Sequence, residues 1–170
     1  MSKDFSKSPK KQRFIAAIPQ DCLNNSDILT RSKFNFSYID INPPGQDFAA
    51  WNKASGNSKL VKLMNKLKDF TRQPLKFWEN EKIGKGKRGG KGNRQSCLEI
   101  YREFPKNSAF THPPYVPEDV WWARFRIDND TRLIGFVIPD NLEKGIAESF
   151  DYNTFYVVFL DENHQFYLSK

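Results

Sequence analysis

The chain has 170 residues, of which 38% are hydrophobic and 15% aromatic, so it is expected to fold around a core rather than remain mainly disordered. Its 27 lysines and arginines exceed its 20 acidic residues and give a net charge of +7, so RNA, DNA or an acidic protein are its expected partners. Its two cysteines lack metal-site spacing and no apolar run reaches the roughly 20 residues that span a membrane, so we expect a cytoplasmic protein without metal, cofactor or membrane partner.

Residues 1–32 are predicted to form a basic, partly flexible N-terminal extension. The segment 1–13 is rich in serine and lysine and holds too few apolar side chains to fold alone. A half-buried β-strand is predicted over residues 33–41, where aromatic and polar side chains alternate. Two consecutive prolines at positions 43 and 44 should end it, because proline lacks a backbone N–H donor.

Two helices and a shorter third are predicted after this strand. Residues 58–70 place apolar side chains at helical spacing and lysines on the outer face, behind the capping residue Ser58. A second short helix begins at Pro74, and residues 46–52 contain an aromatic pair at i, i+3 that is typical of a shorter one. These helices are expected to cover one face of a sheet.

Residues 82–94 contain five glycines and six cations and no acidic residue. Two interpretations remain open: a flexible arm that neutralises nucleic-acid phosphates, or a solvated surface loop. If the protein binds nucleic acid, the expected contacts are the six cations of this segment and two helix lysines: Lys82, Lys85, Lys87, Arg88, Lys91, Arg94, Lys62 and Lys66.

The last third of the chain holds the pattern WWARFRIDNDTRLIGFVIP and then TFYVVFLDENHQFY. Two apolar runs flank the polar residues 128–131, which predicts a β-hairpin. Polar side chains punctuate these strands and follow them: Arg124, Arg126, Arg132, His164 and Tyr167. Charged groups in core-like strands cost free energy unless they are paired, exposed or used, so this region is the candidate site.

A further strand is predicted at residues 97–101. The order strand, helix, helix, then several strands indicates an α+β fold: one domain over residues 33–170, with an antiparallel sheet and two or three helices packed on one face. The basic segment 82–94 is an insertion in this domain.

From Trp121 to the C-terminus, the sequences FRIDNDTRLIGFVI and FYVVFLDENHQFY resemble the RelE/YoeB family of bacterial toxins, which are ribosome-associated endoribonucleases. The shared pattern is an arginine-rich strand, an Ile-Asp turn, an Arg-Leu-hydrophobic strand, an apolar strand and a terminal His-Tyr pair. The resemblance implies a RelE-like fold, RNA or the ribosome as target, and an antitoxin partner that holds the toxin inactive.

The resemblance also implies site residues. The family's arginine that stabilises the phosphorane-like charge falls on Arg132, and its terminal pair falls on His164 and Tyr167, although two residues separate them here where the family has none. The family's upstream glutamate matches Glu118. Cleavage by the RNA's own 2′-hydroxyl needs a base, cationic donors and an acid, and no metal.

In that chemistry, Glu118 or His164 serves as the base and His164 as the acid. Arg124, Arg126 or Arg132 clamps the phosphate. Each side chain also has a structural interpretation: Arg132 pairs with an aspartate of the turn, His164 is an ordinary exposed turn residue, and Tyr167 is a strand residue. The hairpin register decides whether these groups share one face.

The leading hypothesis is therefore a metal-independent endoribonuclease toxin of a toxin-antitoxin-like system. The alternative is a non-catalytic module that binds nucleic acid or a protein through a basic surface.

Overall fold

The structure is a computed structural model, which describes residues 9–10, 13, 22–52, 58–83 and 95–168. Five cations of the predicted basic segment lie outside the described residues: Lys85, Lys87, Arg88, Lys91 and Arg94. Most of the predicted N-terminal extension also lies outside them. Within the described part of the chain, no helix is both long and apolar enough to cross a membrane.

The described elements follow in chain order, after a 3-10 turn at Leu23–Asn25. They are β1 (Lys33–Asn35), α1 (Phe48–Trp51), α2 (Lys59–Phe70), α3 (Leu75–Asn80), β2 (Lys82–Ile83), β3 (Gln95–Ser96), β4 (Leu98–Arg102), β5 (Trp121–Arg126), β6 (Arg132–Val137), α4 (Lys144–Ala147) and β7 (Thr154–Asp161).

Five strands form the main sheet in the order β1-β7-β6-β5-β4, and β2 pairs with β3 in a separate ladder. The pairs β4–β5, β5–β6 and β6–β7 are antiparallel. Strand β1 pairs with β7 in parallel, with Lys33 opposite Thr154, so the α+β class is confirmed but the sheet is mixed. The prediction of a wholly antiparallel sheet was wrong at this edge, because alternation of side chains does not specify strand direction.

Strand β1 is shorter than the predicted strand over residues 33–41. The Asn35 side-chain oxygen accepts the backbone N–H of Ser37 at 2.9 Å, which turns the chain directly after the strand. The backbone N–H of Ile39 then donates to the carbonyl of Phe36 at 3.3 Å. Aromatic and polar residues do alternate over residues 33–41, but the turn at Asn35 ends the strand at that residue.

The three helices after β1 pack on one face of the sheet. Ser58 caps α2 as expected, with its hydroxyl accepting the N–H of Val61 at 3.4 Å, and Asp47 caps α1. The first hydrophobic core joins helix residues to sheet residues: Trp51, Leu63, Leu67, Phe70 and Leu75 meet Leu98, Phe125, Leu133, Phe155 and Val157. This layer confirms the amphipathic helix predicted from residues 58–70.

A second hydrophobic core covers the opposite face of the sheet. Irregular chain between β4 and β5 and the turn after β7 supply its outer layer, and the sheet supplies its inner one: Phe110, Val116, Val120, Trp122, Ile134, Phe136, Val158, Phe159 and Phe166. Sequence periodicity does not reveal this layer, since it is built from loops. The charged residues of the candidate site lie on this second face.

Strands β6 and β7 fit together only because position 135 is glycine. Their register shifts between Ile134 and Gly135. A Cβ atom at Gly135 would lie 2.0 Å from the backbone oxygen of Tyr156 and 2.7 Å from the Phe155 ring. Backbone cannot move aside cheaply, so the close approach of the two strands requires glycine.

We therefore expect Gly135→Ala to lower the free energy of unfolding by about 1–3 kcal/mol, the usual range for overpacking. Urea denaturation followed by far-UV circular dichroism measures this change. Gly145→Ala is the matched control, because a Cβ there meets nothing within 4 Å. Equal stability of the two variants would contradict the steric argument.

Candidate functional site

Alternation along β5 and β6 places three arginines on the second face of the sheet. Ala123, Phe125 and Leu133 belong to the helix-side core, so the residues between them point the other way. We name Arg124, Arg126 and Arg132 the arginine cluster. Arg126 lies directly opposite Arg132 in the ladder, and Arg132 lies directly opposite Asp161 of β7.

The guanidinium of Arg132 binds the hairpin turn rather than an aspartate side chain. Its Nη1 atom donates to the carbonyls of Asp128 and Thr131, both at 2.9 Å. Its Nη2 atom donates to the carbonyl of Asn129, also at 2.9 Å. Only 2% of the residue is exposed. Burial, reinforced by the neighbouring Arg124 and Arg126 charges, lowers the pKa of Arg132 to about 10, which leaves it charged at neutral pH.

Arg126 is half-buried and extends across the same turn. Its Nε atom donates to the carbonyl of Asp128 at 3.2 Å, and its Nη2 atom reaches the carbonyl of Asn129 at 3.5 Å. Its Nη1 atom donates to the side-chain oxygen of Gln95. Arg126 is the most accessible member of the arginine cluster, because Arg124 and Arg132 are buried.

Arg124 joins the cluster to β4 and to the turn after β7, residues 161–166, which we name the C-terminal turn. Both its Nε and Nη2 atoms donate to the carboxylate of Glu99, its cross-strand neighbour, with Nε at 3.1 Å. Its Nη1 atom contacts Nε2 of His164. The guanidinium carbon also lies 5.5 Å from the centre of the Tyr101 ring, a cation–π distance.

His164 meets this cluster as a neutral imidazole. Burial lowers its pKa below the ordinary 6.5, and the positive charges of Arg132 and Arg124 lower it further. A guanidinium nitrogen can only donate, so Nε2 of His164 must be the acceptor in its contact with Arg124. The imidazole proton therefore lies on Nδ1 at neutral pH.

Tyr167 lies at the rim of the site, where 45% of it is exposed. Its ring stacks on Tyr101 with centroids 5.2 Å apart and planes 3° apart. Burial raises the pKa of Tyr101, so its phenol stays protonated at neutral pH. The pair presents an exposed aromatic surface beside the arginine cluster.

The structure does not bring Glu118 to these residues. Its carboxylate lies 3.9 Å from Nε2 of His112, in the irregular chain before β5, and its side chain is 93% exposed. Lys62 does come close, because its ammonium lies 3.1 Å from the carboxylate of Asp128 in the hairpin turn. Glu118 therefore pairs with His112 instead of a residue of the site, whereas Lys62 pairs with the hairpin turn that the arginine cluster binds.

The other described lysines of the nucleic-acid hypothesis lie elsewhere. Lys66 lines a groove on the helix side, beside Trp78 and Cys97. Lys82 donates to the hydroxyl of Ser96 at 2.7 Å, across the β2–β3 ladder. Within the described residues, no group of three or more histidine, cysteine, aspartate or glutamate side chains could hold a metal ion.

Sequence reasoning missed three residues of this face: Glu99, Tyr101 and Asp161. The alternation of Leu98 and Ile100 with Glu99 and Tyr101 was a usable signal, because it places the two polar residues together. Asp161 ends an apolar run without any such signal, and its role depends on backbone N–H groups of the turn that follows it.

No protein-family model, curated protein or solved structure matches this chain. The established description is an α+β fold with a mixed five-stranded sheet, and no structural neighbour supports the RelE-like assignment.

Asp128 stabilises the turn that the arginines hold, and this contribution should depend on pH. Its carboxylate accepts the backbone N–H groups of Thr131 at 3.0 Å and Asp130 at 3.3 Å, and pairs with Lys62. Burial acts to raise the pKa of Asp128, but these hydrogen bonds outweigh it and lower the pKa from 3.8 to about 2.

The stabilisation by Asp128 should be complete above pH 4 or so and be lost as the pH falls toward about 2, because the unfolded chain takes up the proton first. Partial exposure limits it to about 1–2 kcal/mol. Urea unfolding of Asp128→Asn and the unchanged protein at several pH values measures it. The two should differ at pH 6 and converge near pH 2; a constant difference would contradict the linkage.

Proposed function

We propose that the protein binds RNA at the arginine cluster and cleaves it by attack of the RNA's own 2′-hydroxyl, without a metal ion. The observation that carries the proposal is the neutral Nε2 atom of His164 held against Arg124 on the face that also carries Arg126. A basic acceptor beside fixed positive charge is what this reaction needs. The chain's net charge of +7 would draw RNA toward it.

The phosphate would be bound first by the more accessible donors. The Nη2 atom of Arg126 lies 3.5 Å from its carbonyl acceptor, so a phosphate oxygen competes for it readily. A second phosphate oxygen takes the Nη1 donor of Arg124 away from His164. That exchange frees the lone pair of Nε2 at the moment when substrate is present.

The freed Nε2 atom then takes the proton of the 2′-hydroxyl. The 2′-oxygen forms a bond to phosphorus, the bond from phosphorus to the 5′-oxygen breaks, and water protonates the leaving oxygen. Arg124 and Arg126 stabilise the charge on the non-bridging oxygens. The products are a 2′,3′-cyclic phosphate and a 5′-hydroxyl end, after which the imidazolium returns its proton to solvent.

Tyr167 would hold a base of the RNA. Aromatic side chains stack on unpaired bases, and 45% of this residue is open to solvent. Its partner Tyr101 fixes the ring plane by stacking and is itself fixed under Arg124. Single-stranded RNA is therefore the substrate class that this rim fits best.

The resemblance to RelE/YoeB toxins supports a biological setting for this activity. In that setting the protein is a cytoplasmic toxin that cleaves RNA, free or on the ribosome, and an antitoxin covers the arginine cluster. Expression of the chain should then arrest growth, and the product of an adjacent small gene should relieve the arrest. Normal growth at high expression would argue against a toxin while leaving RNA cleavage to be decided in vitro.

The chain's two histidines provide a matched pair of variants for the cleavage test. His164→Gln should reduce the rate of RNA cleavage by about 10²–10⁴-fold, because it removes the base. His112→Gln should retain the rate, since His112 lies in the irregular chain before β5 and its ring packs on Trp122 rather than on the arginine cluster. Gel analysis of a labelled RNA measures the rates and identifies the cyclic phosphate end.

The dependence of the cleavage rate on pH is a second test of His164 as the base. Because the pKa of His164 lies below 6.5, the rate should be flat from neutral pH upward and fall only at more acidic pH. Equal loss of activity in both histidine variants would assign the effect to folding and refute His164 as the base.

A second candidate is binding of RNA or a protein without catalysis. The observation that favours it is the engagement of the cluster: Arg132 gives both terminal nitrogens to turn carbonyls and Arg124 binds Glu99 on two atoms. Such arginines stabilise the fold and leave Arg126 as the main contact for a ligand.

A salt series separates the two candidates. The affinity of a non-catalytic RNA binder should fall as the salt concentration rises, with log Kd linear in the logarithm of that concentration. It should show no cleavage at any protein concentration. Filter binding and the cleavage assay on the same samples measure both. A partner protein that co-purifies after nuclease treatment would instead support a protein-interaction module.

A further inference from the structure

We propose that Asp161 is a positioning residue: its buried carboxylate holds the C-terminal turn in the form that presents His164 to Arg124. The catalytic consequence rests on the proposed function, whereas the positioning itself can be tested in the absence of any RNA. Nothing in the sequence pattern of β7 singles out this aspartate.

The hydrogen bonds of Asp161 span the whole turn. Its Oδ1 atom accepts the backbone N–H groups of Asn163 at 3.2 Å and Gln165 at 3.0 Å. Its Oδ2 atom accepts the N–H of Phe166 at 2.9 Å. Only 1% of Asp161 is exposed, so water does not compete for these bonds. His164 is the residue enclosed between them.

The backbone of His164 requires such support. Its φ angle is +56°, in the left-handed region that side chains other than glycine adopt at a cost. Such a conformation persists only when the surroundings impose it. The N–H bonds to Asp161 impose it from inside the turn, and the buried Phe166 ring anchors the end of the turn in the second core.

The charge of Asp161 also matches its place in the sheet. It lies directly opposite Arg132, and both side chains are buried. Arg132 holds the hairpin turn through its carbonyls, whereas Asp161 holds the C-terminal turn through its N–H groups. Two turns at the same end of the sheet are thus organised by neighbouring charges of opposite sign.

The pKa of His164 distinguishes positioning from a simple charge effect. The charged groups that face its imidazole are Arg132, Arg124, Arg126 and Asp161. Asp161 alone raises the His164 pKa, so Asp161→Asn with an unchanged turn would lower this pKa further. Release of the turn would instead move the imidazole away from the arginines into water and raise the pKa toward 6.5.

The measurement is an NMR titration of the imidazole signals, assigned with His112→Gln. We expect the pKa of His164 to rise toward 6.5 in Asp161→Asn and the cleavage rate to fall by about a hundredfold, as misplacement of a reacting group does. A further fall in the pKa, or no change, would overturn the positioning role.

Asp151→Asn is the matched control. Asp151 also accepts a backbone N–H, from Asn153 at 2.9 Å, but it lies before β7 at the opposite end of that strand. Its replacement should leave the His164 pKa and the cleavage rate unchanged. A similar shift in both variants would assign the effect to general loss of structure.

Amide hydrogen exchange of the unchanged protein keeps the inference testable if Asp161→Asn does not fold. The amides of Gln165 and Phe166 should exchange at least about tenfold more slowly than in an unstructured peptide. Exchange at the unstructured rate would overturn the proposal. An unchanged protein that shows the expected pKa and protection but no cleavage would refute the proposed function and retain the positioning.

Discussion

A buried guanidinium is the constraint on which the second face of this sheet depends. A positive charge removed from water must find acceptors, and Arg132 finds them in the carbonyls of the hairpin turn. The turn is therefore shaped around the charge, with Asp128 closing it from the other side. Arg126 and Lys62 then pair with that turn from opposite directions. The reverse turn, the arginine cluster and helix α2 form one connected structure.

The second face is divided along its length. At one end Trp122, Phe136, Phe159 and Phe166 pack under irregular chain, and at the other end the arginine cluster meets His164. Phe166 joins the two halves, because it is buried in the apolar half while its N–H is held by the carboxylate of Asp161. Packing energy from the aromatic core thereby fixes the backbone of the polar half. A rigid support of this kind is what a preorganised site requires.

Local pattern was sufficient for the helices and the hairpin. Residues 58–70 and the runs beside residues 128–131 carry clear periodicity, and both formed the predicted elements. The direction of β1 and the loop-built second core could not be predicted, because neither leaves a periodic signal. The partner of Glu99 depends on the pairing of β4 with β5. Asp161 accepts backbone N–H groups of the turn that follows it, which its place at the end of an apolar run did not indicate. Matching Glu118 through an irregular segment was the weakest kind of inference, and the structure places it beside His112.

The parallel pairing of β1 with β7 bears on when the protein can become folded during synthesis. Lys33 pairs with Thr154, so this edge of the sheet cannot close until the residues of β7 have been synthesised. The turn that carries His164 follows β7, and it can dock only after that strand is in place. A nascent chain therefore exposes its helices and hairpin without an assembled polar site. The polar face is completed only after the residues of the turn that follows β7 have been synthesised and have docked against the sheet.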